Sequence, residues 1–286
     1  MITNMPTLSH FPSLSLLTFL SPPLTPPPPH QFTFCYRHRF TSKLSAASPS
    51  SQFAVPATAA PQTPVIIDKS SLVIAEAASN EELLAATRLR IRSFYEFKHD
   101  SFSVEDHKKY LVEREFNGLK ERVAGNREGF RKVSCINASL PLSYVSSLSE
   151  DLCSTCKFTH NGGDRVVIGT LDLNQCVKLP DEIAGMKPQG IGTDFARAYL
   201  SNVCVAKELL KNGLGYMLIS KAKFVAEEWG IIDLYVHVAI DNEPAKKLYA
   251  KSGFVYENEE PAWEARFLNR PRRLLLWFGL PNRYNL

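Results

Sequence analysis

Residues 68–286 predict an α+β fold: one domain with a single mixed sheet of about seven strands and helices flanking it. Three observations carry that expectation. Short β-type runs recur seven times, stretches of helical apolar spacing fall between some of them, and no internal repeat is visible. The order reads β-α-α-β-β-β-α-β-α-β-β.

Leu72 to Ala75 is the first β-type run. Ser79-Asn80-Glu81-Glu82 then supplies a capping box, with Leu84, Ile91, Phe94 and Tyr95 at helical spacing behind it. A second helix is expected from Glu105 to Val123, ending before Gly125. Residues 131–137 and Val166 to Leu173 read as strands. Between them, Ser139 to Arg165 reads as a long polar loop with a turn at Asn161-Gly162-Gly163-Asp164. Tyr199 to Val205 is a strand. Leu214, Leu218, Ala222, Val225 and Trp229 share one helical face, and Gly230 stops that helix. Leu234 to Ile240 is the next strand. Asn242-Glu243-Pro244 opens a helix with proline in its first turn, Ala245, Leu248 and Tyr249 on its inner face, and Gly253 as C-cap. Phe254 to Glu257 and Leu274 to Phe278 complete the strands.

Composition breaks at the start of this domain. Residues 1–67 hold 12 of the 19 prolines and 17 Ser/Thr but no Asp, Glu or Gly. Such a segment buries too little apolar surface to offset its ordering entropy. Acid-free, Ser/Thr-rich and basic only through Arg37, Arg39 and Lys43, it reads as a plastid transit peptide, ahead of a mitochondrial presequence or an uncleaved tail. Without those three cations, 30 Lys/Arg face 29 Asp/Glu. A domain near neutrality lacks the basic surplus that phosphate-backbone binding needs, so nucleic acid is excluded as the main partner. No run approaches the ~18 apolar residues of a membrane span. Cys153 and Cys156, with His160 nearby, lack a second ligand pair at zinc-finger spacing and read as ordinary thiols rather than a metal site or regulatory disulfide.

The chemistry concentrates after Tyr199. Residues 211–216 join a strand to a helix, and such a junction offers unpaired N–H groups and a positive dipole end to phosphate oxygens. Alone, Gly213-Leu214-Gly215 is a weak signal that also fits a tight turn. It lacks the third glycine and ribose-binding acid of a nicotinamide site and the Gly-Lys-Ser/Thr of a P-loop.

Val203-Cys204-Val205, Gly213-x-Gly215, Asn242-Glu243-Pro244-Ala245, Leu248-Tyr249 and Gly253-Phe254 nevertheless occur in order at sensible distances. This series resembles the GNAT superfamily of acetyl-CoA-dependent N-acetyltransferases, whose pattern is Gln/Arg-x-x-Gly-x-Gly/Ala followed by Asn, Ala, Leu-Tyr and Gly-Phe. The resemblance is most specific over residues 197–256. With the leader, it looks like a plant plastid member, a group similar to both lysine and protein N-terminal acetyltransferases.

The resemblance implies a GNAT fold, a mostly antiparallel mixed sheet with splayed central strands. It also implies that Val203, Cys204 and Val205 bond the pantetheine arm of acetyl-CoA and that amides of Lys211, Asn212, Gly213, Leu214, Gly215 and Tyr216 hold its pyrophosphate. Asn242, Glu243 and Pro244 would flank the other side, with no metal in the reaction. Tyr249 would face the sulfur and protonate the leaving thiolate; Tyr199 and His237 resemble the tyrosine–histidine pair of dedicated N-α-acetyltransferase subunits and would serve as base. Leu210 stands where the family has Gln or Arg, so Lys207 or Lys211 must supply the cation.

The expected partners are N-termini and lysines of plastid proteins, in the chloroplast stroma. Two other readings stand beside this one. A small-amine (arylalkylamine or polyamine) acetyltransferase would use Asp181-Glu182 or Glu257 to Glu260 as an acidic mouth. A non-catalytic acyl-CoA-binding module is motivated by Leu210.

Overall fold

The computed structural model describes residues 67–97, 103–176 and 196–281. Its elements run β1 (Val73–Glu76), α1 (Asn80–Phe94), α2 (Val104–Val123), β2 (Phe130–Pro141), α3 (Leu142–Val145), α4 (Glu150–Thr155), β3 (Lys157–His160), β4 (Gly163–Cys176), β5 (Arg197–Val205), α5 (Leu214–Glu228), β6 (Asp233–Ala239), α6 (Glu243–Lys251), β7 (Val255–Glu259), α7 (Ala262–Phe267) and β8 (Arg273–Gly279). Eight strands form one sheet in the order β1-β2-β4-β5-β6-β8-β7, with β3 paired to β4. Every pairing is antiparallel except β5 with β6.

The capping box forms as its residues demand. Ser79 Oγ accepts the Glu82 N–H at 3.1 Å, and Glu82 Oε2 accepts the Ala78 N–H at 3.1 Å. Residues 139–165 depart from the expected polar loop. The chain there makes two short helices and a β3–β4 hairpin, turned by Asn161 and Gly162, both at positive φ. Ser149 Oγ caps α4 by accepting the Leu152 N–H at 3.2 Å, and α4 buries Leu152 and Cys153. A six-residue helix offers too few turns for periodicity to reveal it, which is also why α7 was not foreseen.

The two faces of the sheet carry different helices. On β4, Gly169, Leu171 and Leu173 alternate with Thr170, Asp172 and Asn174. A Cβ on Gly169 would lie 3.0 Å from Leu218 of α5, whereas Thr170 and Asp172 meet Arg90 of α1. Alternation and the β4–β5–β6 register place Tyr199, Tyr235 and His237 on the α1 face, and Leu200, Val236 and Val238 on the α5 face. Ile67 is 8% exposed and packs into the main core.

Candidate functional site

β5 and β6 pair only from Arg197–Asp233 to Leu200–Val236. Beyond that, the strands part, and a gap opens between residues 201–205 and 237–239. The parting begins at a bulge. Thr170 faces Cys204 and Asp172 faces Ser201, so Asn202 and Val203 together oppose Leu171. Asn202 takes the left-handed conformation at φ 54°. A bulge bends its strand and shifts the side-chain alternation by one. Tyr199 and Ser201 face α1 before it, and Cys204 faces α1 after it, which turns Val203 and Val205 to the α5 face. Ala206 N–H donates to Ile168 O at 2.8 Å on the β4 side, so alternation aims the Val203 and Val205 N–H groups into the gap.

The loop after β5 presents main-chain N–H groups at the start of α5. Gly213 is the N-cap of α5 at φ 80° and offers no side-chain cap. Met217 N–H is the first to find a main-chain acceptor there, Gly213 O at 3.1 Å, which leaves the amides of Leu214, Gly215 and Tyr216 without one among the described residues. No acidic residue lies in the first turn of α5. Lys211, at φ 66°, turns the chain into the loop. The two glycines serve different ends. A Cβ on Gly213 would meet nothing within 4 Å, so its conformation is what needs glycine. A Cβ on Gly215 would lie 2.9 Å from Leu248 Cδ2, so its role is the close approach of α6 and not the approach of a ligand. Leu210 is exposed. Arg92 of α1 anchors the start of the loop by pairing with Glu208 at 2.5 Å and with Asp151 of α4 at 2.6 Å.

Three aromatic residues are the candidates for moving protons. Tyr199 Oη lies 2.9 Å from His237 Nδ1 and also accepts the His237 main-chain N–H at 3.2 Å. The pair joins the two strands where their ladder has just ended, on the α1 face. Tyr249 of α6 is buried on the other face, its ring edge-on to Phe254 with centroids 5.7 Å apart. Burial pushes its phenol well above the usual tyrosine value, so it stays a protonated donor. Asn242 caps α6, its Oδ1 accepting the Ala245 N–H at 3.2 Å; it is exposed, as are Glu243 and Pro244.

A polar cluster beneath β5 escaped sequence reasoning. Arg90 grips Asp172 through two bonds, Nη1–Oδ2 at 3.0 Å and Nη2–Oδ1 at 2.6 Å. Asn202 Nδ2 donates to the same carboxylate at 2.8 Å, and Asn174 Nδ2 reaches Tyr199 O at 3.1 Å and Ser201 Oγ at 3.0 Å. The available signal was Thr170, Asp172 and Asn174 recurring every second residue in an otherwise apolar strand.

Cys153 and Cys156 are not in a polar loop. Both are buried free thiols, and burial pushes Cys156 up to about 12. Among the described residues, no group of three or more His, Cys, Asp or Glu is arranged to hold a metal, and no helix is long and apolar enough to cross a membrane.

The profile of the Acetyltransferase (GNAT) family matches residues 151–254. The chain is 65% identical over 215 residues to GCN5-related N-acetyltransferase 7, chloroplastic, of Arabidopsis thaliana, covering 75% of this chain and 78% of that protein. It is 30% identical over 190 residues to GCN5-related N-acetyltransferase 6, chloroplastic, of the same plant, covering 64% and 61%. Among solved structures, an N-acetyltransferase from Staphylococcus aureus Mu50 aligns at 13% identity and TM-score 0.46, covering 73% of this chain and 99% of that one. Parted parallel strands, a glycine loop opening a helix and near two-thirds identity to a named relative thus converge on one conclusion: the chain belongs to the GNAT family of N-acetyltransferases and is an acyltransferase.

Proposed function

We propose that this chain transfers the acetyl group of acetyl-CoA to protein N-terminal α-amines and lysine ε-amines in the chloroplast stroma. The observation that carries the reading is the Tyr199–His237 pair, 2.9 Å apart, bridging the strands at the edge of the gap.

The free amides of Leu214, Gly215 and Tyr216, with those of Lys211 to Gly213, hold the diphosphate, and Lys207 or Lys211 adds the cation that Leu210 lacks. The edge of β5 bonds the pantetheine arm through Val203 and Val205, with Cys204 between them turned to β4, and Asn242, Glu243 and Pro244 line its far side. Val203 and Val205 N–H groups polarise the thioester carbonyl. Tyr199 and His237 take the proton of the incoming amine as its nitrogen bonds the carbonyl carbon. The carbon–sulfur bond breaks, and Tyr249, held neutral by burial, gives its proton to the departing thiolate.

Reference pKa values favour α-amines. An α-amino group near 7.7–8.0 is about half neutral at pH 8, whereas a lysine near 10.4 is under about 1% neutral. A single modest base therefore serves N-termini first and lysines more slowly. The chloroplast assignment rests on the leader's composition and on the chloroplastic relatives. Of the acids the polyamine reading would use, Glu260 is paired with Arg270 and Arg273, and Glu259 with Arg272 at 2.8 Å, which leaves Glu257 of that stretch to line an acidic mouth. Asp181 and Glu182 lie outside the described residues.

The test incubates the full-length chain with acetyl-CoA and a panel of peptides and polyamines, reading products by mass. Peptide α-amines are expected to react fastest, lysines more slowly, and Tyr249→Phe to lower kcat roughly 10²-fold. Acetylation of polyamines alone overturns the acceptor class. Binding without turnover makes the chain a binding module. Equal rates for Tyr249→Phe and wild type remove Tyr249 as the acid.

A further inference from the structure

Where β5 bulges, the core holds a fully desolvated ion pair. The side chains of Arg90 and Asp172 are 4% and 0% exposed. A buried pair of this kind contributes little net stability compared with apolar residues of similar volume, so its place in the fold calls for another account. Three facts locate that account at the bulge. Arg90 Nη2 bonds both Thr170 Oγ1, at 2.9 Å, and Asp172 Oδ1, at 2.6 Å, the two β4 residues that flank Leu171. Leu171 is the residue that Asn202 and Val203 oppose. Asn202, in a left-handed conformation costly to most side chains, donates Nδ2 to Asp172 Oδ2 at 2.8 Å.

We propose that Arg90, Asp172 and Asn202 are positioning residues for acetyl transfer: they lock the bulge in β5, and the bulge aims the Val203 and Val205 N–H groups at the thioester carbonyl. The inference rests on the acetyl-transfer reading above and adds to it the device that sets the carbonyl site.

The physical argument is one of register. Without the extra residue, β5 would keep its alternation, Val203 and Val205 would face α1, and their N–H groups would turn toward β4. Pairing with β6 would then have no reason to end at Leu200–Val236. A carboxylate gripped by a two-pronged guanidinium cannot shift along the strand, and Arg122 Nη2 at 3.5 Å adds a second cation to it. Burial opposes the charge on Asp172, but Arg90 and Arg122 outweigh it and hold the carboxyl ionised. The acceptor for Asn202 is thus constant in place and in charge.

Asp172→Asn leaves Arg90 buried and unpaired and endangers the fold, so the decisive variant is Asn202→Gly. Glycine adopts the left-handed conformation freely and removes only the tether. In the full-length chain, Asn202→Gly is expected to lower kcat roughly 10-fold or more while KM for acetyl-CoA stays within about 3-fold, with the midpoints of the pH profile unmoved. The infrared band of bound [1-¹³C]acetyl-CoA reports polarisation directly: its shift to lower frequency in wild type should shrink in the variant. Hydrogen exchange of the Cys204 and Ala206 amides, which face β4 just beyond the bulge and need no substrate to be read, should quicken. An unchanged kcat and carbonyl band overturn the proposal. A wild type without turnover overturns the acetyl-transfer reading instead, and unchanged exchange in Asn202→Gly then overturns the locking of the bulge separately.

Discussion

Lys223 shows how much a single residue's surroundings decide. Its Nζ lies 3.2 Å from the centroid of Phe278 and 5.3 Å from that of Phe254, and it donates to Ser252 O. Burial lowers its pKa to about 8, with Glu227 opposing weakly. The unfolded chain keeps this proton up to the ordinary lysine range, while the folded chain sheds it near pH 8. Between those values, the unfolded state binds more protons, so stability rises with pH from about 8 to about 10.5. The group is partly exposed, and solvent screening limits the gain to about 1 kcal/mol. Urea unfolding at a series of pH values should show that rise in wild type and a flatter profile in Lys223→Met; equal slopes would remove Lys223 as the source. Tyr249, whose ring meets the Phe254 ring that Lys223 also approaches, was legible as a candidate from Leu248-Tyr249 and Gly253-Phe254. Its burial on the face opposite Tyr199 and His237 was not, because helical spacing says which face is inward and not which face of a sheet it meets.

At the scale of elements, α5 and α6 are the best-foreshadowed parts. Leu214, Leu218, Ala222 and Val225 are buried as their spacing required, and Asn242 and Pro244 open α6 as expected. The glycine pair separates conformation from packing. Gly213 needs only the left-handed conformation, so Gly213→Asn should cost under about 1 kcal/mol and Gly213→Val more than about 1. Gly215 needs space against Leu248, so Gly215→Val should cost about 1–3 kcal/mol through overpacking. It should also displace α6, which carries Tyr249. Denaturation midpoints and kcat for the four single variants Gly213→Asn, Gly213→Val, Gly215→Asn and Gly215→Val decide this; Gly215→Asn tolerated as well as Gly213→Asn would refute the division of roles.

For the whole molecule, the expected boundary after residue 67 meets a core that includes Ile67. We propose the leader as a separable address and residues from Ile67 onward as the catalytic unit. A chain beginning at Pro64 should therefore keep the melting temperature and turnover of the full-length chain, and residues 1–63 fused ahead of a fluorescent protein should carry it into chloroplasts. Loss of folding on trimming, or a cytosolic fusion, would contradict that division.

The amino-acid order alone determined the α+β class, nearly every long element, the glycine loop and the set of aromatic candidates, since periodicity, caps and turn residues act within a few positions. Tertiary structure decided what lies across strands. The register between β4 and β5 is a long-range choice that turns Val203 and Val205 toward the gap, and the register between β5 and β6 is another that sets Tyr199 beside Tyr235 and brings it within 2.9 Å of His237. It also gathers Arg90, Asp172 and Asn202, separated by 82 and 30 positions in the chain, around one carboxylate. Local propensity carries no information about such partners, because the free energy that selects them is that of desolvated charge and hydrogen bonding, present only once the sheet has closed over it.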